Sequence, residues 1–516
     1  MYVIFASIIF SVFFGCSQKK SSTTAGDTVV SKNIIEDDIQ YYKNGQLKQK
    51  GSRTDGKREG PFEMYYKNGQ LKRKGTFAAG KQEGPWVWYH ENGQLRKKGV
   101  YEDDKRQGAW LGYHKNGQLS DKFLFKDNKK HGPFELYHAN GTLHQKGEYK
   151  DDKKQGLYER FHKNGQLSKK GTYEADKEEG AWEEYHSNGQ LSKKVSYKNG
   201  KQEGVFVSYH QNGQLMQKGT YEAGNKQGLW LNYSRNGQLS GKFLFKDNKI
   251  QGAFETYSNG TLHEKGMYEA DKKQGLYEKY HQNGQLWERG TYEADIEEGA
   301  WVEYYANGKI REKGAYEAGK KQGPFESYYK NGQLKNKTFF KDNKKQGPCE
   351  MYHMNGRIQQ KGTFEDDKRQ GVWVAYHRNG TLDHKGAYEA GKKEGPFESY
   401  YENKQLRRKG SYKDGESDGS FEAYYKNGQR KARGMYKAGR PEGSWVYYYQ
   451  NGQVQSKESY KEGKQEGLWE KYYQNGQLKE RFSFKDNKKD GPFEEYTENG
   501  ALKNKGVFKD GKQILE

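Results

Sequence analysis

The chain has 516 residues, a net charge of +22, and as many charged residues (31%) as hydrophobic ones (31%), values that border on disorder because little apolar surface is available to offset ordering entropy. Forty-three Tyr, 24 Phe and 10 Trp exclude a disordered chain, since they carry large buried areas and recur at fixed stations. The 2 cysteines exclude a disulfide framework, and unbroken periodicity from about Asp38 to Phe508 favours one long array over the three or four globular domains that the length allows.

Residues 1–16, MYVIFASIIFSVFFGC, form an apolar run shorter than the roughly 20 residues that span a bilayer, and the run ends in small residues and a cysteine, as an export signal does. It resembles a bacterial lipoprotein signal with its processing box at Phe13-Phe14-Gly15-Cys16, which implies lipidation of Cys16. It departs from that pattern in having no Lys or Arg before the apolar core, and Phe13-Phe14 where Leu and Ala or Ser are usual. A buried N-terminal strand is the alternative reading. Residues 17–37, rich in Ser, Thr and Lys, read as a flexible tether.

From residue 38 to 511 the chain is periodic, and residues 512–516 form a short tail. Asn-Gly returns every 24 residues from Asn44-Gly45, through Asn68-Gly69 and Asn92-Gly93, to Asn499-Gly500, with one step of 23 residues (Asn236 to Asn259) and one lost glycine (Asn403-Lys404). Because Asn-Gly tolerates positive φ at both central positions of a type I′ turn, each station flanked by aromatic and aliphatic residues predicts a two-residue β-hairpin. The fold class expected is all-β: an elongated, twisted antiparallel meander of about twenty hairpins, on the order of 190 Å long at about 4.8 Å per strand.

In the repeat from Pro61 to Gly84, a two-residue loop at Asn68-Gly69 pairs Tyr66 with Leu71, Tyr65 with Lys72, Met64 with Arg73, Glu63 with Lys74 and Phe62 with Gly75. Alternation then places Phe62, Met64, Tyr66, Leu71, Gly75 and Phe77 on a core face, and Glu63, Tyr65, Lys72 and Lys74 on a second face. Phe62 across from Gly75 reads as a ring covering exposed glycine backbone, and the same pairing recurs at Trp86 with Gly99, Phe134 with Gly147, Tyr158 with Gly171 and Phe397 with Gly410. On the second face Tyr65, Tyr89, Tyr113 and Tyr137 form a row about 10 Å apart, flanked by Lys72 and Lys74. Such a row either packs between lysine stems or offers stacking platforms to an extended polymer.

The YxNGxLxxKGxY core followed by GxxxG[PAL][FW] resembles the bacterial variant of the MORN repeat (membrane occupation and recognition nexus), over roughly residues 38–511. The resemblance implies a hairpin meander, and for function only an antitoxin-like or uncharacterised protein. Eukaryotic MORN proteins imply scaffolding, dimerisation and contact with anionic lipid. A second periodicity, GQLSDKFLFKDNKKHGPFELY returning 120 residues later as GQLSGKFLFKDNKIQGAFETY, is that of block duplication.

Nothing in this pattern points to an enzyme or a cofactor. Nine histidines (His90, His114, His138, His162, His186, His210, His281, His353, His377) share one station, and at about 10 Å spacing they cannot converge on one metal ion. Carboxylates in YEADKKQG and FKDNKK segments suit turn chemistry better than an acid–base pair, and Cys349 replaces Phe or Trp at a packing position. The expectation is a non-enzymatic, lipid-anchored scaffold or multivalent interaction protein at the bacterial cell envelope. A protein, or an anionic polymer or glycan, would be its partner, with nucleic acid disfavoured by export and oligomeric state open. The alternatives are a cytoplasmic antitoxin-like binding protein and a glycan- or polyanion-binding surface protein using the tyrosine and lysine rows.

Overall fold

The computed structural model describes residues 34–514. The signal-like segment 1–16 with Cys16, the tether up to residue 33 and the last two residues of the tail lie outside the described residues. The described residues fall into two compact units, divided between Lys177 and Glu178. In the first, thirteen strands run from Ile35–Asp37 to Leu167–Glu174, and in the second the strands run from Lys177–Tyr185 to Lys512–Ile514. Among the described residues there is no helix, and in each unit the strands pair antiparallel with their neighbours in sequence. The all-β hairpin meander is therefore the fold.

The hairpin turns differ from expectation, and the reason is local. Tyr66 N–H donates to the Gln70 carbonyl at 2.8 Å and Gly69 N–H to the Tyr66 carbonyl at 3.0 Å. Lys67-Asn68-Gly69 is thus a three-residue loop, a type I turn closed by a glycine in a bulge. Gly69 has φ +82°, whereas Asn68 is not among the residues of positive φ. Asn68 Oδ1 instead accepts the Gln70 N–H at 3.1 Å, an arrangement repeated at Asn44 and Asn92. The extra loop residue shifts the register: Phe62 with Gly75, Glu63 with Lys74 and Met64 with Arg73 pair as expected, but Tyr65 lies opposite Leu71 and Lys72 is bulged out.

The two-residue turns with positive φ at both positions lie at the other end of the strands. Asp103-Asp104 (φ 54° and 65°) and Asp127-Asn128 (50° and 68°) are two of them. One Asn-Gly of the 24-residue series does form the expected turn. In the 23-residue step, one residue is missing before Asn259-Gly260, Ser258 pairs with Thr261, and both turn residues are left-handed at φ 50° and 80°.

The core lies on one face of the strands and is made of rings. Phe62, Phe77 and Trp86 form a buried cluster with Met64, Trp88 and Tyr101 against it. Phe62 meets Phe77 edge-on at 5.3 Å and Phe77 meets Trp86 at 5.1 Å, so rings of the two stations alternate as edges and faces. The glycines accommodate this packing, but often through a different ring from the one expected. A Cβ on Gly75 would lie 2.2 Å from Trp86 of the next repeat, and one on Gly99 would lie 2.1 Å from Trp110. Gly147 and Gly410, by contrast, are covered by their cross-strand partners Phe134 and Phe397, as expected. An indole reaches the glycine of the preceding hairpin, and a phenyl ring commonly stays on its own.

Candidate functional site

The tyrosine or histidine before the hairpin loop and the asparagine in it hold one repeat against the next. Tyr66 Oη donates to the Tyr89 carbonyl at 2.8 Å, a reach of 23 residues, and Tyr42, Tyr305, Tyr329 and Tyr425 do the same. Histidine substitutes for tyrosine because the hydrogen bond is the same: His90 Nε2 lies 2.9 Å from the Tyr113 carbonyl, and His114 Nε2 lies 3.1 Å from that of Tyr137. A carbonyl acceptor selects the tautomer carrying the proton on Nε2. His186, His210, His281, His353 and His377 repeat this bond, whereas His138 packs against His144 with the ring centres 4.3 Å apart and the planes tilted by 35°. A second ladder runs beside the first, with Asn68 Nδ2 donating to the Glu91 carbonyl at 3.0 Å and Asn92 Nδ2 to that of Lys115 at 2.9 Å.

The loop carboxylates at the opposite edge bind turn backbone. Asp103 N–H donates to Glu83 Oε2 at 2.9 Å, and Lys130 N–H donates to Asp152 Oδ1 at 2.8 Å. These side chains were expected to serve turns, and the bonds say how.

On the second face the structure brings the tyrosine row together with glutamates and lysines. Tyr65 Oη donates to Glu63 Oε2 at 2.6 Å, and Tyr137 donates to Glu135 at 2.8 Å. The bond to Glu63 pushes the Tyr65 hydroxyl up to about 12, and burial together with Glu135 does the same for Tyr137. Lys265 Nζ lies 2.8 Å from Glu278, which also accepts from Tyr280 at 2.5 Å and pairs with Arg289. Burial alone would raise the Glu278 carboxyl, but Lys265, Tyr280 and Arg289 together pull it down to about 2. At Tyr89 and Tyr113 the residue two before is Val87 or Leu111, which offers no acceptor, so the row divides into charged and apolar stretches. Lys74 faces Glu63 across the strands, whereas Lys72, displaced by the bulge, has its Nζ 5.4 Å from the Tyr66 ring and leaves the row to which it was assigned.

A second cation row went unnoticed in the sequence. Arg58 lies 4.6 Å over Phe62, Arg106 lies 4.0 Å over Phe125, and Lys130 lies 4.3 Å over Phe123. Their signal was present, a Lys or Arg two residues before the glycine of many KxxG segments such as KREG, KRQG and KKHG, but only tertiary packing sets a cation over a ring. Cys349, 1% exposed, sits in a core cluster with its Sγ 3.3 Å from Thr338 Oγ1, and burial pushes its thiol up. Thr338 stands where other repeats have glycine, so the larger residue there coincides with the smaller one at the ring station. Among the described residues no group of three or more His, Cys, Asp or Glu is placed to hold a metal ion.

No curated protein matches the chain. Among solved structures, one titled as a TcdB2-TccC3-Cdc42 crystal structure is 10% identical, covering 93% of this chain and 31% of its own, at a TM-score of 0.13. A Photorhabdus luminescens Tc holotoxin pore structure is 12% identical, covering 92% of this chain and 34% of its own, at a TM-score of 0.12. The chain spans about a third of the length of these solved chains, and likeness at this level carries no argument. The MORN repeat variant pattern matches sixteen segments, from 39–55 and 58–79 through 178–199 and 297–318 to 489–510, which together make up more than half of the chain. Spaced along the same hairpins whose ladders are described above, those segments make this chain a member of the MORN repeat variant family.

Proposed function

We propose that this chain is a non-enzymatic, multivalent interaction scaffold, held at a bacterial cell envelope by a lipid on Cys16. The observation that carries the reading is the commitment of reactive residue types to the frame: His90 and Tyr66 are bonded to neighbouring carbonyls, Glu83 to a turn N–H, and Tyr65 to Glu63. What varies between repeats is the charge and apolarity of an exposed face, which suits many weak contacts summed along an array. The net charge of +22 favours an anionic polymer or an acidic protein as partner.

Mass spectrometry of the mature N-terminus tests the anchor. An acylated Cys16 as first residue is expected, and an unprocessed, unmodified Met1 overturns it in favour of a cytoplasmic, antitoxin-like binding role. Binding to a sulfated polysaccharide at two salt concentrations tests the multivalent reading, with affinity expected to fall steeply as salt rises. Salt-independent binding would point instead to the glycan reading, for which Tyr89 and Tyr113 are the natural platforms because Val87 and Leu111 stand where Glu63 and Glu135 bind the hydroxyls of Tyr65 and Tyr137.

A further inference from the structure

Gly386 breaks the ring-on-glycine rule. At the other glycines of its station whose surroundings are described, a would-be Cβ lies within 3.1 Å of an aromatic ring atom, as at Gly51, Gly75, Gly362 and Gly410. At Gly386 the nearest atom is the Cβ of Phe397, at 3.4 Å, and no ring atom lies within 4 Å. Backbone register explains the gap. Where a glycine is covered by the next repeat's indole, it is skipped in the pairing: Lys74 pairs with Val87 and Thr76 with Glu83. Gly386 instead pairs directly with Phe397, the register found at Phe123 with Phe134, Phe243 with Phe254, and Phe482 with Phe493. In the first two of these the earlier phenyl ring stacks on the later one, at 5.8 Å and 14° and at 6.4 Å and 5°. Phe397 has the register of a phenyl–phenyl pair and lacks its phenyl partner.

The space is a cavity of about 330 Å³ lined by Trp373, Gly386, Tyr388, Phe397, Ser399 and Arg408, among others. Three of its polar side chains, Ser399, Arg408 and Lys393, make no hydrogen bond or ion pair among the described residues. Ser399 is 5% exposed and its Oγ has no hydrogen-bond partner. Arg408 lies 5.8 Å from the Phe397 ring centre and Lys393 lies 4.7 Å from that of Tyr412, and among the described residues neither forms an ion pair. Asp383 also lines the cavity, but His384 Nδ1 at 3.1 Å and His377 Nε2 at 3.6 Å already engage its carboxylate.

We propose that this cavity binds a small planar aromatic acid, its ring taking the place of the missing side chain at residue 386 against Phe397 and its anionic group meeting Arg408, Lys393 and the Ser399 hydroxyl. The ring supplies the stacking that Phe123 gives Phe134, and the anion partners two cations and a buried hydroxyl.

Calorimetric titration of the full chain with indole-3-carboxylate tests this, with indole and cyclohexanecarboxylate as comparators. One molecule is expected to bind per chain, and loss of either the carboxylate or the aromatic ring is expected to weaken binding at least about tenfold. Gly386→Phe should fill the cavity, abolish binding and raise the thermal midpoint, and Gly386→Leu should also abolish binding if the larger ring is not accommodated. Arg408→Gln should weaken the acid at least about fivefold and leave indole unaffected. Failure of the wild type to bind indole-3-carboxylate at about 1 mM, or equal binding by wild type and a folded Gly386 variant, overturns the proposal.

Discussion

The seam between Gly75 and Trp86 and the seam between Phe123 and Phe134 join consecutive hairpins of the same unit by opposite means. At the first, the indole lies flat on bare backbone, Trp86 is 0% exposed, and Gly75 is skipped in the strand register. At the second, phenyl stacks on phenyl at 5.8 Å and the two residues pair directly. The two seams are filled differently: one large ring over no side chain, or two medium rings face to face. Thr338 with Cys349 is a third arrangement, in which the two residues pair directly and the threonine hydroxyl meets the cysteine sulfur at 3.3 Å. A MORN seam is therefore specified by a pair of residues in adjacent hairpins, and neither residue is meaningful alone.

The largest effects should come from breaking one member of a pair. Trp86→Ala should destabilise its repeat by about 3–5 kcal/mol, read as local unfolding by amide hydrogen exchange. Gly75→Phe, which places a side chain 2.2 Å into the indole, should cost about 1–3 kcal/mol or more, and combining it with Trp86→Phe should recover part of the loss by recreating the second kind of seam. A purely additive double mutant would show that the seams are not interchangeable.

A smaller effect should be the same at both seams. Tyr66→Phe and His114→Phe each remove one bond to a neighbouring carbonyl, so each should cost about 0.5–1.5 kcal/mol by the same exchange measurement.

Smaller still, pH-resolved exchange should reveal the repeats that carry a Tyr–Glu pair or a paired glutamate. Tyr65 holds its proton up to about 12 in the folded chain against an ordinary 10.0, so the folded state binds more protons between those values and stability falls as pH rises through them. Glu278 and Glu326 are held down to about 2 from an ordinary 4.5, by burial outweighed by Lys265, Tyr280 and Arg289 in one case and by Tyr328 and Lys313 in the other. Their stabilisation is complete above 4.5 and is lost as pH falls toward about 2.

Much of this was legible in the order of residues. The hairpin period, the Phe62–Gly75 and Glu63–Lys74 pairings and the packing role of Cys349 follow from alternation and repetition. Turn type was not legible at Asn68-Gly69, because a glycine of positive φ serves both a two-residue type I′ turn and a three-residue loop with a bulge. The backbone settles it by where Tyr66 N–H finds its acceptor, and the consequence is that Lys72 leaves the Tyr65 row. The histidine row could be ruled out as one metal site by spacing, but its partner, a carbonyl 23 residues away, became visible only once hairpins were stacked.

By itself the sequence determined what repeats: strand alternation, glycine at the turns, and an aromatic residue at every packing station but that of Cys349, all consequences of local geometry with a period of two within a strand and 24 along the chain. Only the tertiary structure decided which ring covers which glycine, which carbonyl each tyrosine or histidine holds, and where a ring is missing at Gly386. Those depend on the approach of one hairpin to the next, and two registers differing by a bulge serve the same local pattern while putting different side chains in contact.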